Sequence, residues 1–135
     1  MSNAMRKRRI KVKTVADGDL PLPEVMIVPV SFETNEQTVN KIYFPFAVTI
    51  EKLRGQVTKA IAASDDGTVT AANATGDMAT GVLTFTASDA INHEVPAVEP
   101  TTNNTIAVDS YLQLTVVKST AGGKANIAVE YIRSA

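Results

Sequence analysis

Apolar and polar residues alternate over short stretches from Asn40 to Arg133, and Gly, Asp, Asn and Ser residues separate these stretches. Alternation with a period of two places every second side chain on the same face of a β-strand. It is clearest from Tyr111 to Val117 and from Ala125 to Arg133. The apolar positions there are Leu112, Leu114, Val116, Ile127, Val129 and Tyr131. The pattern predicts an all-β protein, an antiparallel β-sandwich of jelly-roll-like winding, in which each sheet buries one face.

The apolar alternation slips by one residue between Val48 and Ile61. Such a slip would turn every later side chain to the opposite face of a strand, so we expect a β-bulge or a bend near Glu51-Lys52. A helix with a period of 3.6 residues would also place Ile50, Leu53 and Val57 on one side, and it remains an alternative. The β-branched residues of this stretch favour the strand.

Turn-forming residues predict how the strands are connected. Asp65-Asp66-Gly67 is typical of a tight β-hairpin, and Gly76-Asp77 marks another turn. Gly122-Gly123 predicts that Ser119 to Lys124 is a hairpin between the last two strands. The polar segment from Ser88 to Thr102 contains prolines, and we expect it to be a long connection that crosses from one sheet to the other.

The length of 135 residues and the apolar content of 44% fit one domain with a single core. Residues 1–4 resemble a remnant of an expression tag, residues 5–24 form a basic N-terminal arm and a turn, and residues 25–135 form the predicted sandwich domain. The chain has no cysteine, which excludes disulfides and thiolate chemistry. No apolar signal core follows the basic arm, so we expect a protein that is not secreted by the Sec route.

Two segments are candidates for contact with partners. The basic arm could bind an acidic protein surface or phosphate, or it could be an edge strand or frayed tail whose charges discourage aggregation. The net charge of −1 for the whole chain and the absence of aromatic residues between the basic residues of the arm make nucleic acid an unfavourable partner for this protein. The segment from Val25 to Phe32 is apolar on both faces and contains Pro29, so it predicts an edge strand that another subunit covers. The candidate contact residues are Arg6, Lys7, Arg8, Arg9, Met26, Val28, Val30 and Phe32.

Few residues suggest catalysis or metal binding. His93 is the only histidine, and no Gly-x-Ser-x-Gly motif accompanies it. Glu51 and Glu130 are better explained as solvated strand residues than as an acid and base pair. Asp65, Asp66 and Asp77 lack the spacing of a calcium loop and are better explained by turns. We therefore predict no catalytic residue, no metal site and no cofactor. No apolar run is long enough to span a membrane as a helix, so a membrane is not an expected partner.

Three stretches resemble small β-sandwich domains of tailed-phage and prophage structural proteins. The stretch Ile42-Tyr43-Phe44-Pro45-Phe46-Ala47-Val48-Thr49-Ile50 resembles the opening strand of such domains. Asn104 to Leu112 resembles their approach to a late strand, with Asp109-Ser110 where the pattern has Gly-Asp. Ala125 to Arg133 resembles their closing strand, which ends in Tyr-x-Arg. The resemblance covers about two thirds of the chain, and these motifs form the fold and carry no chemistry.

The resemblance implies a virion structural subunit of the head-fibre, decoration or tail-associated kind. Such a protein would act through contacts with other virion proteins and with itself, with a homotrimer as the expected assembly, and could meet a host-surface glycan. It would be located in the virion, or in the bacterial cytoplasm before assembly. The alternative function is a carbohydrate-binding module or adhesin-like domain, because β-sandwiches also serve in that role. Two exposed, coplanar tyrosines would favour this alternative, although the chain has no Trp. A small hydrolase would require His93 beside a hydroxyl or carboxylate in a cleft.

Overall fold

The computed structural model describes residues 22–34 and 37–134, which form nine β-strands and no helix. The basic arm, including Arg6, Lys7, Arg8 and Arg9, lies outside the described residues. The strands are β1 (Glu24–Ser31), β2 (Thr38–Phe44), β3 (Val48–Lys59), β4 (Gly67–Ala72), β5 (Asp77–Phe85), β6 (Glu94–Val98), β7 (Thr105–Ile106), β8 (Ser110–Val117) and β9 (Lys124–Arg133).

The strands form two antiparallel sheets. Sheet I has the order β1-β9-β3-β6, with β7 also paired to β3, and sheet II has the order β2-β8-β4-β5. The pairs are nested along the chain, since β1 pairs with β9, β2 with β8, β3 with β6, and β4 with β5. The all-β prediction and the antiparallel sandwich are confirmed. The jelly-roll winding stays a prediction.

The core lies between the inner faces of the two sheets. The alternation predicted for the last two long strands is confirmed, because Leu112, Leu114 and Val116 are buried from sheet II and Ile127 and Val129 from sheet I. Aromatic rings extend the core toward both ends of the sandwich. They form two pairs, Phe32 with Phe85 at 5.5 Å between ring centroids and Phe44 with Tyr131 at 5.3 Å.

The slip in the apolar pattern is a β-bulge, as predicted. On the ladder between β3 and β9, Ile50 lies opposite Tyr131 and Lys52 lies opposite Glu130, so Glu51 is the extra residue. The bulge returns Leu53 to the buried face that Ile50 already occupies. The helical alternative for this stretch is wrong, because main-chain pairing with β9 extends along β3 as far as Lys59.

Two predicted hairpins are wrong. The strands on either side of Asp65-Asp66-Gly67 belong to different sheets, and so do the strands joined by Ser119 to Lys124. In the first turn Gly67 is required by packing, since a Cβ atom there would lie 2.7 Å from Cε1 of buried Phe32. In the second turn, Gly122 and Gly123 have φ angles of 138° and 123°, which glycine adopts readily. Such angles occur in crossovers as well as in hairpins, so the glycines did not distinguish the two.

The connection from Ser88 to Thr102 crosses between the sheets as predicted, but it also contains an unpredicted strand. Residues Glu94–Val98 form β6 at the edge of sheet I. Pro96 and the short apolar pattern concealed this strand, because proline is tolerated at a sheet edge but weakens the strand signal. The turn predicted around Gly76-Asp77 is confirmed, and because β4 pairs with β5 it closes a hairpin.

An ion pair between buried Lys118 and half-buried Asp65 links two of the crossovers. The side chain of Lys118 is fully buried, and its Nζ donates to Oδ1 and to the main-chain oxygen of Asp65, each at 2.8 Å. The Asp65 carboxylate also accepts the main-chain N–H groups of Ser119, at 2.7 Å, and Thr120, at 3.1 Å. These contacts lower the pKa of Asp65 to about 2, with the hydrogen bond from Lys118 as the largest cause.

We expect Asp65→Asn to destabilise the protein near neutral pH and to flatten the acid side of its stability profile. A carboxyl group whose pKa is lowered by folding stabilises the fold above its unfolded pKa, and this contribution is lost as the pH falls through the folded value. The wild-type free energy of unfolding should therefore fall between about pH 4 and pH 2 more steeply than that of the variant.

Urea unfolding at a series of pH values measures this difference. Asp77→Asn is the matched control, because it neutralises an exposed carboxylate near a different turn. Parallel stability profiles for wild type and Asp65→Asn across the acid range would contradict the assignment.

We expect Gly55→Ala to destabilise the protein by about 1–3 kcal/mol, the usual effect of overpacking a core. A Cβ atom at Gly55 would lie 2.5 Å from Cζ of Phe85 and 3.0 Å from Cγ2 of Val95. Gly76→Ala is the control, because its nearest atom, Nδ2 of Asn103, would be 3.6 Å away. Urea unfolding of both variants measures the difference, and equal stability would show that Phe85 moves without strain.

Candidate functional site

The outer edge of sheet I is formed by β1, which pairs with β9 on one side and with no described strand on the other. Glu24 anchors its start, since its carboxylate accepts two hydrogen bonds from Arg133, at 2.7 Å and 3.1 Å. This bidentate pair fixes the register between the two strands at one end. The predicted edge strand is confirmed.

The side chains of β1 alternate between the two faces of the sheet. Met26 and Val28 are half-buried against the core, and Val30 and Phe32 are 5% and 1% exposed. All four predicted contact residues on this segment therefore face inward in the single chain. The apolar side chains that solvent reaches on the same strand are Val25 and Ile27, which are 59% and 57% exposed.

The main-chain groups of β1 also alternate. The N–H of Phe32 donates to the oxygen of Gly123 at 2.8 Å, so the main chain of Phe32 faces the β9 side. In an antiparallel ladder, residues that face one neighbour alternate with residues that face away from it. It follows that Val25, Ile27 and Pro29 direct their main-chain groups toward the free edge. Pro29 fits there because it has no N–H to donate to β9.

A groove of about 440 Å³ lies on the outer face of sheet I, beside this edge. Ala128 lies opposite Ile27 on β1 and opposite Arg54 on β3, while Asn126 lies opposite Gln56. The small side chain of Ala128 leaves room between the larger neighbours. The lining residues are Ile27, Arg54, Gly55, Gln56, Glu94, Val95, Ala97, Asn126 and Ala128.

One side of the groove is charged. Nε of Arg54 donates to Oε2 of Glu130 at 2.5 Å. This hydrogen bond raises the pKa of Arg54, and the charge of Glu94 adds to the effect. Because two carboxylates already compensate the guanidinium, the groove offers no uncompensated cation to an anionic ligand. The amides of Gln56 and Asn126 supply neutral hydrogen-bonding groups.

No hydroxyl, thiol, imidazole or ammonium group of the described residues lines the groove. Its nine lining residues include no Ser, Thr, Cys, His or Lys. His93 lies outside the lining set, and its Nε2 is 3.7 Å from Oδ1 of Asp89, which is beyond hydrogen-bonding distance. In residues 22–34 and 37–134, no group of three or more His, Asp or Glu residues could hold a metal ion.

The outer face of sheet II carries a second exposed surface. Tyr43 and Tyr111 lie opposite each other, with ring centroids 5.5 Å apart and planes at 62°. Nζ of Lys41 lies 4.5 Å from the centroid of Tyr111. The two rings are not coplanar, so they do not form the flat platform on which a sugar would stack.

Sequence reasoning identified β1 but not the groove. Alternation along β3 and β9 could have shown that Arg54, Gln56, Asn126 and Ala128 face outward. Their lateral alignment depends on the strand pairing, which no local pattern contains.

Comparison with known proteins assigns no family. No protein-family model matches the chain, and a search of curated proteins also gives no match. Within the described part of the chain, no helix is long and apolar enough to cross a membrane.

Proposed function

We propose that this chain is a non-enzymatic virion structural subunit of a tailed phage or prophage that acts through protein–protein contacts. The observation that carries the protein-contact part is the open edge of sheet I, where Val25 and Ile27 are both more than half exposed. Apolar side chains beside unpaired main-chain groups are typical of a surface that another protein covers.

The arrangement of the groove supports a role without catalysis. A hydrolytic site needs a nucleophile, or a bound water, together with a base within hydrogen-bonding distance. The polar groups of the groove are one compensated guanidinium, two amides and Glu94. These groups suit recognition better than bond cleavage.

The strand order supports a jelly-roll winding. Each of the four nested pairs joins strands successively closer along the chain, as expected when one long hairpin is rolled into two sheets. The phage assignment rests on the stretches from Ile42 to Ile50, from Asn104 to Leu112 and from Ala125 to Arg133. The first includes the end of β2 and the start of β3, and the last is nearly all of β9, so the similar stretches contribute to both sheets of the sandwich.

We expect the protein to be a stoichiometric component of purified phage particles. The test is prophage induction in the source strain, followed by density-gradient purification and quantitative mass spectrometry of the particles. The expected result is co-sedimentation of this chain with the major capsid or tail proteins at a fixed copy number. Particles that form and purify without the chain would contradict the virion assignment.

We expect no saccharide-specific binding on a glycan array. The inclined rings of Tyr43 and Tyr111 present no shared stacking plane, and the groove of sheet I is lined by no aromatic residue. If an array did show saccharide binding, its loss in Tyr43→Ala would favour the carbohydrate-binding alternative. Val82→Ala, on the same sheet, is the matched control for surface truncation.

A further inference from the structure

We propose that a second copy of this chain pairs with β1 across a two-fold axis, so that the two copies of sheet I join into one continuous antiparallel sheet. The inference rests on the main chain of β1 and is independent of the virion assignment.

The interior of β1 carries no charge. Its one charged residue, Glu24, is the first residue of the strand and is paired with Arg133, and from Val25 to Ser31 there is none. By contrast β2, at an edge of sheet II, carries Lys41 in the middle of the strand. Natural proteins place charges on edge strands to prevent pairing with another chain. The edge at β1 lacks this protection and is open to a neutral strand of the same kind.

Two prolines determine which main-chain groups are available. Pro23 and Pro29 have no N–H, and both lie at odd positions, whose main-chain groups face the free edge. Between them, the donors on that edge are the N–H groups of Val25 and Ile27. The free edge therefore has a short hydrogen-bonding segment between the two prolines, in which Val25 and Ile27 each supply one N–H donor and one C=O acceptor.

The donors and acceptors of this segment match those of the same segment in a second, antiparallel copy. When two copies run antiparallel with Val25 of each opposite Ile27 of the other, both residues exchange N–H and C=O bonds, which gives four hydrogen bonds across the axis. Pro23 of each copy then lies opposite Pro29 of the other, so no donor is left facing a proline. A shift by two residues in either direction places Val25 or Ile27 opposite a proline, which accepts a hydrogen bond but returns none, so that this pair is no longer reciprocal.

The side chains agree with this register. Met26 lies next to the two-fold axis, opposite Met26 of the other copy, on the inner side of the sheet. In the single chain, Met26 and Val28 are only half-buried on this side. On the outer side, Val25 of one copy lies beside Ile27 of the other. Apolar side chains on both faces of the junction thus gain contacts, which accounts for an edge segment that is apolar throughout.

Single-cysteine cross-linking tests the register, because the natural chain has no cysteine. Opposed residues in a non-hydrogen-bonded pair have Cα atoms about 4.5 Å apart, within the range of about 4.4–6.8 Å that a disulfide requires. Met26→Cys should therefore form a disulfide-linked dimer on mild oxidation of the full-length chain. Val28→Cys is the matched control on the same strand and face, since its two copies would be separated by about 13 Å along the strands.

The expected result is an oxidised dimer of Met26→Cys on a non-reducing gel, with Val28→Cys remaining mostly monomeric at equal concentration. Preferential cross-linking of Val28→Cys, or equal and weak cross-linking of both, would overturn the proposal. Circular dichroism of the reduced proteins verifies that both variants are folded.

Light scattering behind size exclusion, over a dilution series, provides the second measurement. Wild type should approach twice the chain mass of 14.3 kDa at high concentration. Ile27→Pro should stay monomeric and folded, because it removes an N–H that faces away from β9, as Pro29 already does. A monomer at all wild-type concentrations would falsify the pairing. A trimer would also overturn it, while remaining consistent with the virion proposal.

Discussion

Burial of one face of each sheet is the constraint from which the other features of this sandwich follow. A side chain that faces inward must be apolar and must fit between the sheets, so every strand alternates with a period of two. Where β3 bends, the bulge at Glu51 restores the alternation instead of exposing Leu53 and Val57. Where the sheets approach closely, Gly55 leaves room for the ring of Phe85.

Two separate sheets also require crossovers. A segment that passes from one sheet to the other has main-chain N–H and C=O groups without a strand partner, and leaving such groups unpaired lowers the stability of the fold. Asp65 supplies partners for these groups at one end of the sandwich. Its carboxylate accepts hydrogen bonds from two main-chain N–H groups of the connection after β8 and neutralises the charge of buried Lys118. The ion pair therefore stabilises the connection between β3 and β4 and the connection after β8. Removing one partner would leave either a buried ammonium or unsatisfied amides.

Since the inner faces are occupied by the core, the strands of the described chain present an outer face or an edge to other molecules. The outer face of sheet I offers a groove with neutral amides and a compensated guanidinium, and the edge at β1 offers main-chain groups beside exposed Val25 and Ile27. Both surfaces are suited to recognition. Their position side by side means that a partner at the edge would also alter one wall of the groove, through Ile27.

The sequence by itself determined the long strands with clear alternation, their buried faces and the bulge, because alternation and its interruption are properties of neighbouring residues; the short β6, which contains Pro96, gave no such pattern. It also located the turns at Gly67, Gly76 and Gly122, yet it could not tell the hairpin at Gly76 from the crossovers at Gly67 and Gly122. Turn residues specify a local change of direction, and the identity of the next strand's partner depends on contacts far apart in the chain. Only the tertiary structure turned Met26 and Val30 inward and aligned Arg54 with Ala128 and Ile27, because lateral register arises from pairing between β1, β9 and β3.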